Sequence, residues 1–481
     1  LVGTDGTGTL SSADGNTGVG TGVFAALTSG DNNVAVGLNS LEANTSGANN
    51  VAVGDNVLCD NTTASNNTAV GSCSLKLNTT GSENTAVGQG ALDANTTGCC
   101  NTSVGYLSLS ANTTADDNTA VGYNALRFNT TGNRGVAVGY ESLKANTTGY
   151  GNIGVGYAAL TANTTGCENV AVGILALDAN TEGEDNTAIG SSALGANTTG
   201  DHNVAVGLSA LQKNTTADNN VAVGTCASGC NTTGHSNVSI GFSALCTNTT
   251  GDKNIAIGHQ SLLSLTTAND NTAVGYNSLR ANTTGAFNVS VGTSSLQSNT
   301  TAEENTAVGY AALQDNTTAA NNTAMGSETM KATTTGANNS AFGKGALRFN
   351  TTGTCNTAVG VSALLANTTG INNVAVGHLA LDANTEGAKN IAVGQHSLGT
   401  VTTGNNNVAV GHIALEDLTT AGNNTAIGAF SSRNITTGAN NTSIGYDSLA
   451  ANTTGADNAA FGSEAGKAIT TGCQNVFIGR E

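Results

Sequence analysis

Proline and tryptophan are both absent from this chain of 481 residues. Average usage of about 5% would give roughly two dozen prolines in that length. Proline takes a donor out of a β-ladder and is tolerated only at edges and bulges, so its absence suits long unbroken sheet. Aromatic residues make up only 4% of the chain. Basic residues are scarce too: 14 Lys and Arg stand against 32 Asp and Glu, a formal net charge of −18. No basic stripe exists, so nucleic acid is not an expected partner. The acidity reads instead as a means of keeping a β-rich chain in solution. No run of 18 apolar residues occurs, so no segment is expected to insert in a membrane.

What the chain has is one phrase, repeated. "NTAVGYNAL" at 118–126 returns as "NTAVGYNSL" at 271–279, with "NVAVGLSAL" (203–211) and "NVSIGFSAL" (237–245) among its relatives. The glycine inside it falls at Gly3, Gly20, Gly37, Gly54 and so on to Gly479, always 17 residues apart, 29 times without insertion or deletion. A short fixed period marks a solenoid or fibre in which each unit packs on its neighbours, and it overrides any count of globular domains made from length. Strict register also argues against a disordered low-complexity tract.

Numbering seventeen slots from Asn16, slot 1 is Asn except at Gly135, slot 2 is almost always Thr, Val or Ile, slot 3 is Ala, Ser or Gly until Phe477, slot 4 is apolar throughout, and slot 5 is always Gly. Slots 2 to 4 carry a strand signature, and dense Gly, Thr and Asn disfavour helix. Slot 9 is Leu in 22 of 27 repeats, with Phe24, Ser228, Met330, Ser432 and Gly466 as substitutes. Slot 12 exchanges Asn for Leu27, Leu265, Val401, Leu418, Ile435 and Ile469. A site that accepts Leu and Ile lies inside, so its Asn must be hydrogen-bonded there. Slot 13 is Thr throughout, and slot 14 admits Glu182 and Glu386 and so faces water. Slot 5 never accepts Ala, which predicts a positive φ or no room for a Cβ; slot 15 does accept it (Ala64, Ala115, Ala217), which predicts a need for smallness alone. Charged residues gather at slots 6, 7, 10, 11, 16 and 17, the expected outward corners.

The expected fold is an all-β parallel β-solenoid, one repeat per rung: a strand at slots 2–4, a turn at Gly, a second strand around Leu and a third around Thr-Thr. Like then stacks on like, with Asn and Thr ladders bonded along the axis. The expected organisation is frayed repeats over 1–32, a regular solenoid over 33–457, and variant repeats over 458–481 leading into a further region. Leu1 and Glu481 both fall inside a repeat, so a segment of something longer is expected. The structural ladder is represented by Asn84, Val87, Gly88, Leu92, Asn95 and Thr96, and one cycle further by Asn118, Val121, Gly122, Leu126, Asn129 and Thr130. Slot 3 never carries a charge, which predicts a strand buried on both faces with slot 3 against another chain of a homotrimer. A lone solenoid with a cramped interior is the alternative.

The phrases "NVSIG" (237–241), "NVAVG" (203–207) and "NTAIG" (186–190) resemble the "N-[ST]-x-A-[IV]-G" motif of trimeric autotransporter adhesin heads. The longer "NTAVGYNAL…ANTTG" is similar to 17-residue repeats of phage tail fibres and surface adhesins. "EAGKAITTGCQNVFIGRE" (464–481) resembles the run before an intramolecular chaperone domain in such fibres. The resemblance implies a left-handed β-roll wound as three chains, an extracellular place on a virion tail or bacterial surface, and a host-cell glycan or protein as partner.

Nothing in the sequence suggests an enzyme, a cofactor or a metal site. His259, His378 and His412 share slot 6 with Tyr106, Tyr123, Tyr140 and Tyr157, a candidate exposed contact ring, and lack partners at ligand spacing. "GVGTG" at 18–22 has no "GK[ST]" after it. The ten Cys are scattered over variable slots, which favours free thiols over a disulfide framework. The 18 N-T-[TS] sequons at slot 12 read as buried ladder rather than glycan sites. A fibre or adhesin shaft is the leading expectation. The alternative is ice or other surface binding through a Thr/Asn ladder.

Overall fold

The computed structural model describes residues 13–480. Gly3 and the first part of the frayed segment, residues 1–12, therefore lie outside the described residues, as does Glu481. The chain divides into two compact units between Asn237 and Val238. Among the described residues there is no helix: the first unit carries strands β1 (Thr17–Val19) to β13 (Val221–Val223), and the second carries β14 (Val238–Ile240) to β28 (Val476–Ile478).

Each unit is a parallel β-solenoid with one 17-residue repeat per rung. Thr85, Ala86 and Val87 pair with Thr102, Ser103 and Val104, and the column Val36, Val53, Val70 continues the same register. Along a strand the backbone donates alternately to the two neighbouring rungs. Thr85 N–H reaches Asn101 O at 2.8 Å on the following rung, and Gly88 N–H reaches Val70 O at 2.8 Å on the preceding one.

Only slots 2–4 form a strand; the expected second and third strands are turns and bends. The reason is backbone handedness. Leu92 at slot 9 has φ 56° and Leu126 φ 51°, and slots 7 and 17 are left-handed as well, for example Asn124 at 55° and Glu83 at 62°. A left-handed non-glycine residue costs roughly 1–2 kcal/mol. It persists here because each such residue is tied to a neighbouring rung: Leu92 N–H donates to Ser108 O at 3.0 Å on the following rung, with its side chain fully buried, and Asn124 N–H donates to Tyr106 O at 3.0 Å on the preceding one. The chain thus turns back within seventeen residues while still stacking rung on rung within each unit.

The core of each unit is a narrow double file. Ala86, Ala120 and Ala205 at slot 3 are 0% exposed, as are Leu92 and Leu109 at slot 9. At Gly154, the one glycine of slot 3 between Ala137 and Ala171, an added Cβ would lie 2.6 Å from Ser142 Oγ and 3.3 Å from Leu143 Cγ. Slot 3 therefore packs on slots 8 and 9 of the same chain, here those of the preceding rung. This corrects the expectation of slot 3 against another chain. The demand for small residues comes from the chain's own interior, and the same alternation turns slots 2 and 4 outward.

Candidate functional site

Two asparagines close each coil. Gly98 O accepts from Asn84 Nδ2 at 2.9 Å and from Asn95 Nδ2 at 3.0 Å, pinning slots 1 and 12 to slot 15. The remaining Asn atoms bond along the axis. Asn84 N–H donates to Asn67 Oδ1 at 2.9 Å and Asn118 N–H to Asn101 Oδ1 at 3.0 Å. Asn95 Nδ2 donates to Asn78 Oδ1 at 2.8 Å, and Asn129 repeats the pattern against Asn112 at 3.2 Å. All four slot residues are buried, so their amides are satisfied without water. The slot 12 sequon nitrogens are thus inside the coil and already donating.

The ladder breaks where slot 12 changes. Val401 follows Asn384 and Thr333 follows Asn316; Asn384 Oδ1, Asn316 Oδ1 and Thr333 Oγ1 are all left buried without a hydrogen bond. Leu265 follows Asn248, and there Asn248 Oδ1 instead accepts from Gly251 N–H at 3.1 Å.

Thr96 and Thr130 at slot 13 are partly buried. Their hydroxyls donate to Thr113 O and Thr147 O, each at 3.0 Å. Gly88 and Gly122 at slot 5 have φ of 136° and 141°, and an added Cβ would run into the backbone carbonyls of Gly105 and Gly139 respectively. Val87 and Val121, placed by sequence in the ladder, do stack along the axis but point outward, 36% and 37% exposed.

The four tyrosines of slot 6 form one stack. Successive ring centroids from Tyr106 to Tyr157 are 5.4, 5.1 and 5.2 Å apart, with planes 11°, 6° and 5° from parallel. Each inner ring has both faces covered by neighbours, which leaves its edge and hydroxyl to solvent. Such a row can offer hydrogen bonds but not the open π-face that stacks on a sugar or a base. Glu141, beside Tyr140, raises that phenol's pKa above the usual value, with burial and the neighbouring tyrosines adding to it. In the second unit Phe242, His259 and Tyr276 stack the same way, at 5.2 and 5.3 Å. His378 instead meets His396 of slot 7 edge-on at 5.8 Å.

One of the expected outward corners, slot 10, is half-buried. Asp93, Asp178 and Asp382 at slot 10 have their carboxyl pKa raised, in each case chiefly by burial. Cys59, also at slot 10, is pushed up to about 12 by burial and by its contact with Glu42, 3.5 Å from the sulfur. It is a protonated, unreactive thiol. Slot 16 has a role the sequence reading missed. Asp201 Oδ1 accepts from Glu184 N–H at 2.8 Å, and Asp116 Oδ1 accepts from Cys99 N–H at 2.7 Å. The signal was the recurrence of Asp, Asn and Ser at that slot, residues that cap free backbone donors.

No known protein family matches the chain, and no curated protein matches it either.

Proposed function

We propose that this chain is the shaft of an extracellular fibre or adhesin, on a virion tail or a bacterial surface, assembled as a parallel homotrimer and holding a receptor-binding surface in place. The observation that supports it is uniformity. The same bond recurs at an offset of 17 residues in each unit, as from Asn50 to Asn33 in the first and from Asn475 to Asn458 in the second, and the repeats carry no inserted loop on which a unique catalytic constellation could be built. A role in spacing and presentation needs only that uniformity, so the chain is read as a non-enzyme without cofactor. A host-cell glycan or protein would meet it along slot 6, where the tyrosine hydroxyls stand, or at a neighbouring region of a longer chain.

Ice binding through slot 13 is the weaker reading. That file's hydroxyls are already donating to carbonyls, as Thr45 does to Thr62 O at 3.0 Å, and are not free to order water.

The test is location. Antibodies raised against the chain should decorate thin projections outside the cells or virions that make it. Label confined to the cell interior would overturn the proposal, and a depressed freezing point in solutions of the pure chain would favour the ice reading.

A further inference from the structure

The outward strand face is an unpartnered strip of apolar and Thr side chains. In the first unit slot 4 is Val in every strand except for Ile189, and slot 2 is Thr, Val or Ile. In the second unit slot 4 runs through Ile240, Met325, Phe342 and Phe461 as well as Val, and slot 2 adds only Ser340 and Ala459. No charged residue occurs in either file. Ile189 is 41% exposed, Met325 42% and Phe461 41%. Slot 17, on one side of the strip in sequence, is mostly polar and exposed, as at Glu83, Asp117 and Arg134, with Phe287 an exception; slot 6, on the other side, includes the exposed Leu38, Ile174 and Leu208.

The size of the strip decides what it is for. Three strand residues at ~3.3 Å and a rung spacing of ~4.8 Å give about 50 Å² of face per rung. The thirteen strands of the first unit then offer roughly 650 Å², or about 1,300 Å² when two copies meet, which lies within the range of stable specific interfaces. Monomeric proteins rarely leave a contiguous apolar patch beyond a few hundred Å² open to water.

The occupant follows from the side chains. A face matched to a crystal lattice such as ice needs residues of one size in each file. In the second unit slot 4 ranges from Val to Met and Phe, which suits packing against side chains that can interdigitate. A second copy of this chain supplies the same rung spacing, so contacts made at one rung recur at the next without slipping out of register. We infer that slots 2 and 4 form the face through which copies of this chain pack side by side. The inference rests on the reading of the chain as an assembling shaft, and it moves the interface from slot 3 to the opposite side of the strand.

Two measurements on the full chain test it. Light scattering should give a solution mass that is a multiple of the 47.2 kDa chain. A monomer would overturn both the inference and the shaft's assembly, and ice-growth inhibition by that monomer would assign the strip to ice. A benzophenone side chain replacing Val121 or, separately, Val87 should then give a covalent product of twice the chain mass on irradiation. The same probe replacing Thr131, at exposed slot 14, should not. Cross-linking from Thr131 alone would overturn this face while leaving an assembling shaft in place. In each variant an unchanged far-ultraviolet circular dichroism spectrum shows that the solenoid has folded.

Discussion

Phe477 and Gly466 exchange volume across one coil of the second unit. Phe477 is the one large residue at slot 3, and Gly466 is the one glycine at slot 9, where 22 of 27 repeats carry Leu. A Cβ added to Gly466 would lie 2.7 Å from Phe477 Cδ2 and 3.0 Å from Leu449 Cδ2. The ring has taken the space that a leucine fills elsewhere. Gly466→Leu alone should overpack the coil and destabilise it by about 1–3 kcal/mol. Phe477→Ala alone should open a cavity and cost about 3 kcal/mol or less at this partly exposed site. The double variant restores the common pattern and should be more stable than the sum of the two predicts. Thermal melts of all four proteins give the coupling, and strict additivity would contradict the exchange.

Glycine is required at slot 5 for two reasons, whereas slot 15 asks only for a small residue. Gly207 has φ 135°, and a Cβ there would sit 2.7 Å from Gly224 C. Gly200, at slot 15, is not left-handed, although its Cβ would press on Ala217 O and come within 2.6 Å of Asn197 Oδ1. Gly207→Ala should therefore cost on the order of 2 kcal/mol or more, from strain added to the clash. Gly200→Ala should cost about 1 kcal/mol or less, since Ala217 already occupies the same slot one rung on. Denaturant midpoints would rank them, and equal losses would refute the distinction.

Thr333→Asn should repair a broken ladder. The new amide would stand where a slot 12 nitrogen normally donates to the carbonyl oxygen of the preceding rung, here Asn316 Oδ1. It would also remove the orphaned hydroxyl of Thr333. Satisfying such buried groups is worth about 1–3 kcal/mol. The expected result is a higher unfolding midpoint, with slower amide exchange at Asn316 and its neighbours; no gain would mean that bound water already serves these atoms.

Asp93 should make the fold weaker as pH rises. Burial raises its folded pKa above the unfolded value, so the folded state holds the proton more tightly. Its contribution is most favourable below the unfolded pKa and is lost as pH climbs through the folded one. One of its oxygens, Oδ1, is also buried without a partner. Asp93→Asn should raise stability at pH 7, and the difference from the parent protein should shrink towards pH 3. A constant difference across that window would show that charge is not the cause.

The period, the special glycine and the interior asparagine were legible because each constrains what a slot accepts. Gly122 never varies to Ala in its slot, and Asn95 shares its slot with Leu265 and Ile435. Which side of the strand faces in was not legible. Alternation shows that Val87 and Thr85 share a face and that Ala86 opposes them, but not which face meets the coil's own leucines. The left-handed turn at Leu92 was hidden as well. Leucine has no preference for that region, and only the Asn of slots 7 and 17, such as Asn124 and Asn49, hinted at positive φ. The half-buried carboxyl of Asp93 was missed for a related reason: a charged residue in a variable slot reads as solvated until the turn that shelters it is known.

The constant offset of 17 residues between bonded partners, as in Asn101 to Asn84, also sets how the chain folds. All-β proteins are usually slow because their strands must find partners far along the chain. Here no strand within a unit waits for a distant one, because its partners are always the repeats just before and just after it. Loop closure is the same short event each time. Growth can begin at any rung and add neighbours in either direction, so a chain emerging from a ribosome can fold as it appears. The barrier lies in making the first pair of rungs, and a local defect such as the Val401 break should stall propagation rather than abolish the nucleus.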